Sequence, residues 1–208
     1  RLLAEPMSAG IVAERLRLHP SNTEHLLEML WSMRLLDRQE AATPAQCWRY
    51  QASWLASRYL DHDSKQHCGD AWSLRLQALR HFGKNLDEQL RTGEASTAPR
   101  LAENAANWQA AARLQIAQEQ RAATAEAAQA VFSQLPEFTR AQRLLDLGGG
   151  PGLVAIALAK ANPNLHGEVF DLPETISVAE ENIHAAGLGG RLRGRSGDLI
   201  RDPIGEGY

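Results

Sequence analysis

Two hydrophobic patterns follow one another along the chain, with the change close to Arg143. Before this point apolar residues recur at helical spacing, as at Ile11, Val12 and Leu16. After it, short continuous apolar runs alternate with helical segments. The first pattern predicts a mainly helical region. The second predicts buried parallel strands joined by helices, which is an α/β arrangement.

The amino-terminal part is predicted to contain two short helices followed by a β-hairpin. Ser8 is placed to cap the first helix, and Ser21 or Asn22 to cap the second. The segments R-L-L-D-R and W-R-Y-Q, separated by a short polar loop, are predicted to pair as the hairpin. Two helices and then a β-ribbon is the order of a winged helix-turn-helix. The second helix carries a predicted apolar stripe of Leu26, Leu27, Leu30, Trp31 and Met33.

Further helices are predicted at residues 71–92 and 101–135, with the segment G-E-A-S-T-A-P-R at 93–100 as the candidate linker between them. The pattern divides the chain into three parts. These are a winged-helix domain at 1–95, a helical linker at 96–140 and a strand–helix region at 141–208.

A glycine-rich turn separates the first predicted strand from the helix that follows it, in the segment L-L-D-L-G-G-G-P-G. Glycine at the carboxyl end of a parallel strand lets the backbone approach a ligand closely. The amino terminus of the next helix favours an anionic group. The spacing is D-x-G-x-G-x-G from Asp146 to Gly152, and Leu153 stands where the dinucleotide pattern G-x-G-x-x-G has its third glycine.

Two further acids follow later predicted strands. Asp171 ends the second strand, at 167–171, where a carboxylate can accept hydrogen bonds from both hydroxyls of a ribose. Asp198 follows a weaker third strand in R-L-R-G-R-S-G-D, where it could meet an adenine amino group. With Asp146, these acids predict a nucleoside-shaped site. The alternative for Asp171 and Asp198 is that each caps a turn.

These segments resemble the S-adenosylmethionine motifs of class I methyltransferases. L-L-D-L-G-G-G-P-G, V-F-D-L-P-E and G-D-L occur in the same order and context. The triple glycine and F-D-L-P are similar to the small-molecule O-methyltransferase family, which includes caffeate, hydroxyindole and antibiotic-tailoring enzymes. The resemblance implies a Rossmann-like class I methyltransferase sheet, with its first three strands present, preceded by a mainly helical winged-helix domain.

The resemblance also implies roles for individual residues. Asp146 would lie near the ammonium group of S-adenosyl-L-methionine, and Asp171 would hold its ribose. Leu172 would lie beside the adenine, and Asp198 and Leu199 would complete the adenine pocket. The methionine end of the cofactor would be lined by Gly148, Gly149, Gly150 and Gly152.

The implied activity is in-line methyl transfer to a small aromatic or secondary-metabolite hydroxyl, although phenol, enol, carboxylate and amine acceptors are all open. Trp108 and Phe132 are implied to line the acceptor pocket, and the amino-terminal domain to form a homodimer. In the family a catalytic histidine follows a fourth strand. Because none of the 7 histidines matches that position, the base is expected beyond Tyr208.

Other functions fit the residues less well. A winged-helix DNA-binding regulator needs a basic surface, but the net charge is −3 and the second helix begins with Glu24 and Glu28. A nicotinamide-dependent oxidoreductase would also use Asp171. Its dinucleotide pattern, however, needs a third glycine where this chain has Leu153.

Neither a metal site nor a membrane segment is predicted. The polar loop containing His62, Asp63, His67 and Cys68 matches no standard zinc spacing. No apolar run approaches the roughly 18 residues of a membrane span. The chain has only 2 cysteines, which suits a cytoplasmic protein.

Overall fold

The computed structural model describes residues 3–40, 48–93 and 105–208, and the chain divides into two compact units, Arg1–Gly69 and Asp70–Tyr208. Residues 94–100 of the candidate linker lie outside the described residues. The expected domain boundary at residue 95 therefore stays a prediction.

The first unit combines short helices with a small antiparallel sheet in the order β1–β3–β2. The predicted hairpin is confirmed, because β2 and β3 pair from Leu36 opposite Ala52 to Glu40 opposite Trp48. The core contains Val12, Leu27, Leu36 and Tyr50. The elements are β1 (Met7–Ser8), α1 (Ala9–Leu16), α2 (Pro20–Ser32), β2 (Leu36–Glu40), β3 (Trp48–Ala52) and α3 (Trp54–Tyr59).

The two predicted helix caps in this unit differ in outcome. Ser8 caps α1 as expected, with its Oγ accepting a hydrogen bond from the N–H of Ile11 at 3.5 Å. The prediction for α2 is wrong, because this helix begins at Pro20 and has His19 as its cap residue. Proline is favoured at the first helical position, since its fixed φ suits the helix and it has no N–H to leave unpaired.

The apolar stripe predicted for α2 is only partly buried. Leu27 is 2% exposed, and Leu30 packs against the same core. The remaining stripe residues are exposed, namely Leu26, Trp31 and Met33.

A polar and aromatic cluster connects α2 to the sheet. The Arg38 guanidinium lies 3.5 Å from the ring centroid of Trp31 and 4.0 Å from that of Trp48. Arg38 also donates to the Glu28 carboxylate at 2.6 Å, and the Tyr50 hydroxyl donates to the other oxygen of Glu28. The hydrogen bond from Tyr50, with the charge of Arg38, lowers the pKa of Glu28. The charge of Arg38 is therefore paired with a carboxylate and two aromatic rings of the same unit.

The second unit begins with helices that depart from the predicted bounds. The single helix expected at 71–92 is two helices, α4 (Gly69–Lys84) and α5 (Leu86–Thr92), which break at Asn85. The helix expected at 101–135 is described from Ala105 to Phe132 and is called here the long helix. Along it, α6 (Ala105–Ala111), α7 (Ala117–Glu119) and α8 (Ala125–Phe132) alternate with π-helical segments at Ala112–Ile116 and Gln120–Thr124.

A parallel three-stranded sheet forms the rest of the unit, in the order β4–β5–β6. The three predicted strands and the two helices between them are confirmed. Side chains of both helices pack with Val169 and Leu192 in one core, because apolar residues line the facing surfaces of helices and sheet. The elements are β4 (Arg143–Leu147), α9 (Leu153–Ala161), β5 (His166–Asp171), α10 (Pro173–Ala185) and β6 (Leu192–Ser196).

Within the described residues, no helix combines the length and the apolar character needed to cross a membrane.

Candidate functional site

The glycine turn between β4 and α9 has a backbone that side chains would obstruct. Gly148, Gly150 and Gly152 have φ values of 65°, 60° and 73°, in the left-handed region that glycine adopts without strain. At Gly149 the limit is space, since a Cβ there would lie 2.7 Å from Cγ of Asp146 and 2.7 Å from Cγ1 of Val169. The sequence-predicted glycines therefore shape a turn whose surface is main chain.

Asp171 ties the end of β5 to this turn. One carboxylate oxygen accepts a hydrogen bond from the N–H of Gly150 at 2.8 Å, and the other accepts from the N–H of Leu172 at 2.7 Å. A carboxylate has about four lone-pair sites, so about two of them stay available to further donors. This geometry leaves Asp171 able to hold a pair of hydroxyl groups.

Asp146 lies beneath the turn, against Gly149. Its Oδ2 is buried and has no hydrogen-bond partner among the described residues. Burial raises the pKa of this carboxyl group, and the negative charge of Asp171 adds to the rise, while a hydrogen bond from the backbone of Ala155 opposes it. Two carboxylates thus make the region under and beside the turn attractive to a cation.

The segment after β6 reaches the turn through an apolar side chain. Cδ1 of Leu199 is 3.8 Å from the position that a Cβ on Gly148 would take. Asp198 engages its own loop, since Oδ1 accepts from the N–H of Ile200 at 2.8 Å and Oδ2 lies 3.5 Å from Nε of Arg201. In the structure, the contacts of Asp198 are therefore those of a residue that caps a turn.

Gln120 contacts the turn and was not predicted. Its Nε2 donates to the carbonyl oxygen of Gly149 at 3.1 Å, and its Oε1 accepts from the N–H of Leu153 at 3.0 Å. Ile116 approaches the same turn, with Cγ2 3.1 Å from where a Cβ on Gly150 would lie. The only sequence signal for this pair is their four-residue spacing, which puts both on one helix face.

Neighbouring polar residues of the long helix have other partners. Gln118 is buried, accepts from the N–H of Ala71 at 3.0 Å and donates to the Asp70 carboxylate at 2.9 Å. Glu119 pairs with Arg75 at 2.5 Å. Neither side chain faces the glycine turn through these contacts.

The two aromatic residues expected in an acceptor pocket lie apart. Trp108 is half-buried on α6, which packs against α10 through a hydrogen bond from Gln109 to Ser177 at 2.9 Å. The Phe132 ring is 5.9 Å from that of Phe138, which packs near the start of the strands. The structure thus does not bring Phe132 to the glycine turn, because the turn follows the opposite ends of the strands. Phe132 instead helps to line a cavity of about 180 Å³ with Leu135, Phe138, Leu144, Leu158 and Leu165.

The model of the O-methyltransferase domain family matches residues 102–207, which is half of the chain. The chain belongs to this O-methyltransferase domain family. The match includes the long helix from Ala105, the glycine turn and all three parallel strands.

Two curated relatives resemble the chain over nearly its whole length. The N,N-dimethyltransferase OxyT of Streptomyces rimosus is 30% identical over 98% of this chain and 58% of that protein. The tetracenomycin polyketide synthesis 8-O-methyl transferase TcmO of Streptomyces glaucescens is 28% identical, again over 98% of this chain and 58% of that protein. The chain therefore spans less than two thirds of the length of these relatives.

Solved structures share the fold of this family member. The mitomycin 7-O-methyltransferase MmcR superposes with a TM-score of 0.66 at 23% identity, covering 97% of this chain and 59% of that one. Human N-acetylserotonin methyltransferase, in complex with SAM, gives a TM-score of 0.69 at 20% identity, covering 99% of this chain and 60% of that one.

Proposed function

We propose that this chain binds S-adenosyl-L-methionine and belongs to an enzyme that methylates a small-molecule acceptor. The observation that carries the proposal is the junction at Asp171. This carboxylate holds the glycine turn by the N–H of Gly150 and retains about two lone-pair sites for the hydroxyls of a ribose. Membership of the O-methyltransferase domain family supports the same ligand.

The residues at the turn fit the groups of this cofactor. Gly148, Gly149, Gly150 and Gly152 offer main-chain atoms to its methionine end, and the buried Asp146 offers a carboxyl oxygen that has no hydrogen-bond partner among the described residues. Leu172 and Leu199 would contact the adenine, with Leu199 already beside Gly148. Asp198, whose carboxylate accepts from the N–H of Ile200 in its own loop, would accept from the adenine amino group.

When bound, S-adenosylmethionine supplies a methyl group on a positively charged sulfur, which an acceptor atom attacks in line. The part of this chain is to hold the cofactor and present that methyl group. We assign an acceptor-contacting role to Trp108 and none to Phe132, since Phe132 lies at the other end of the strands. A hydroxyl of a small aromatic compound is the proposed acceptor, in keeping with TcmO, and OxyT indicates that nitrogen acceptors occur among the relatives.

The first unit is proposed to be a winged-helix domain that forms a homodimer. Its order of two helices followed by the β2–β3 hairpin, with β1 added beside β3, supports the first part. Exposed apolar residues on α2 support the second. DNA contact through α2 is disfavoured, because Glu24 and Glu28 lie on it and Arg38 is held by Glu28 and two tryptophans.

Calorimetric titration with S-adenosylhomocysteine and, separately, with NAD tests the proposed ligand. We expect binding of the first and none of the second. Asp171→Ala should weaken S-adenosylhomocysteine binding at least tenfold, since an unpaired ligand hydroxyl in a desolvated site costs about 1–3 kcal/mol. Asp171→Asn keeps one acceptor oxygen, so its affinity for S-adenosylhomocysteine should lie between those of Asp171→Ala and the unmodified chain.

The matched control is Asp87→Ala on α5, where the carboxylate is 77% exposed and pairs only with the helix neighbour Arg91 among the ion pairs of the described residues. Its affinity should equal that of the unmodified chain. Binding of NAD without S-adenosylhomocysteine would contradict the proposed cofactor, and unchanged affinity in Asp171→Ala would contradict the ribose assignment.

A further inference from the structure

One side chain of the long helix bridges both ends of the glycine turn. The amide of Gln120 donates to the carbonyl of Gly149 at 3.1 Å and accepts from the N–H of Leu153 at 3.0 Å. Gly149 lies within the turn, and Leu153 is the first residue of α9. The single amide therefore spans the turn from the strand side to the helix side.

The second partner is a group that the turn cannot satisfy by itself. The cap residue of α9 is Gly152, which has no side chain to accept from the first N–H groups of the helix. Serine, threonine, asparagine or aspartate commonly supplies that acceptor from the cap position. Here the acceptor comes from a residue 33 positions earlier in the chain.

The amide chemistry of glutamine suits both partners. One partner is an acceptor and the other is a donor, so the side chain must provide both functions at once. Only the amides of asparagine and glutamine combine a carbonyl oxygen with an NH₂ group in this way. Glutamate would accept from Leu153 but would place a second oxygen against the Gly149 carbonyl.

The helix around Gln120 is irregular at this position. Gln120 is the first residue of the second π-helical segment, and Ile116 is the last residue of the first. Single π turns within α-helices occur frequently at functional sites. Ile116 fills the space above Gly150 while Gln120 holds Gly149 and Leu153, so these two residues of the long helix contact the turn from either side of α7.

We propose that Gln120 is a positioning residue that holds the glycine turn in the shape that binds cofactor, and so links cofactor affinity to the long helix. This inference rests on the proposed function for its ligand. The turn binds through main-chain atoms, and Gln120 fixes the orientation of the peptide groups at its two ends. Without this amide, the peptide groups at Gly149 and Leu153 are free to rotate. The main-chain atoms proposed to bind the ligand are all still present.

The test compares Gln120→Met with Gln109→Met. Methionine keeps the length and approximate volume of glutamine but makes neither hydrogen bond. Gln109 lies on the same long helix, and its side chain bonds Ser177 on α10 rather than an atom of the turn, so it controls for general loosening of the helix. Calorimetry with S-adenosylhomocysteine should show at least fivefold weaker binding for Gln120→Met and a change within twofold for Gln109→Met. Gln120→Glu retains the acceptor for Leu153 but sets an oxygen against the Gly149 carbonyl, so it should also weaken binding at least fivefold.

A second measurement does not depend on the ligand. Amide hydrogen exchange at Leu153 and Gly150 reports the order of the turn, and Gln120→Met should speed exchange at Leu153 at least fivefold while Gln109→Met leaves it unchanged. Equal affinity of Gln120→Met and the unmodified chain would overturn the inference, as would equal losses in both methionine variants. If the unmodified chain bound no S-adenosylhomocysteine, the proposed function would fail, and unchanged exchange in Gln120→Met would separately overturn the role of Gln120.

Discussion

At the scale of single residues, Glu168 on β5 shows how a charge is accommodated inside the sheet. The residue is 8% exposed, and its carboxylate accepts from Arg193 on one oxygen and from Arg195 at 2.6 Å and Tyr208 at 2.9 Å on the other. Burial by itself would raise the pKa of this group. The hydrogen bonds from Arg193, Tyr208 and Arg195 outweigh burial, and the pKa lies below its usual value of 4.5.

Glu168→Gln should therefore reduce stability in a pH-dependent way. A carboxyl group with a lowered pKa stabilises the folded state above its unfolded-state pKa, and this contribution disappears as pH falls through the folded-state value. We expect Glu168→Gln to lower the free energy of unfolding by about 1–3 kcal/mol at pH 7, with the difference shrinking below about pH 4.5.

Urea unfolding of both proteins at pH 7 and pH 3.5 measures this difference. Glu206→Gln, at an exposed position, serves as the control and should stay within about 0.5 kcal/mol of the unmodified chain at both pH values. A difference for Glu168→Gln that is as large at pH 3.5 as at pH 7 would contradict the assignment.

The sequence predicted residues whose chemistry is local and missed those whose role depends on packing. The place of Asp171 beside the glycine turn was predictable, because an acid at the end of a second parallel strand after such a turn is a recognisable pattern. Gln120 was not, since it resembles the polar residues Gln115 and Gln118 around it. The contact that distinguishes it exists only once the long helix lies against the turn.

At the scale of elements, the strand–turn–helix unit from β4 to α9 depends on close packing beneath the turn. Gly149 lies directly over Asp146 and Val169, and a Cβ would approach atoms of both side chains to 2.7 Å. Because real Cβ contacts are longer, the turn or the strand beneath would have to shift. The middle glycine of the run is thus required by space, whereas its two neighbours are required by their φ values.

Gly149→Ala is expected to destabilise the second unit by about 1–3 kcal/mol, the usual range for overpacking a well-filled site. Gly189→Ala is the matched control, because nothing lies within 4 Å of a Cβ at that position and its φ is not left-handed. Thermal unfolding of both variants should show a lower melting temperature for Gly149→Ala alone. Equal melting temperatures would show that the turn moves aside without cost.

Elements were predicted well where their signals are local. The strands at 143–147 and 166–171 and the helix at 153–161 end close to where glycine, proline and apolar runs indicate. The break at Asn85 was not predicted, although Gly83 stands two residues before it, and the π-helical segments of the long helix contain no proline or glycine that would mark them. Such irregularities follow from packing against neighbouring elements, which periodicity does not report.

At the scale of the whole molecule, the first unit leaves apolar side chains on its surface. Leu26, Met29 and Met33 of the α2 region are 41%, 52% and 59% exposed. Adjacent exposed apolar residues of this kind mark interaction surfaces in folded proteins. The proposed homodimer would cover them.

Sedimentation velocity at micromolar concentration should therefore find a dimer, and Met29→Glu should shift the protein to monomer because a charge would be buried in an apolar interface. Ile200→Glu is the control, since Ile200 is 92% exposed in the second unit and its replacement should leave the dimer intact. A monomer before any substitution, or a dimer that persists in Met29→Glu, would contradict the proposed interface.

The main-chain character of the glycine turn also constrains how such a protein can diversify. Selection acts by changing side chains. The surface formed by Gly148, Gly149, Gly150 and Gly152 has no side chains to change, because each glycine is required by its φ value or by space. New acceptor preferences must therefore arise on other elements, such as the long helix around Trp108, while the turn is inherited as a fixed part. A scan of all substitutions should accordingly show a short intolerant block at the turn and at Gln120, with more tolerance around Trp108, the pattern expected if the cofactor stays constant while acceptors change.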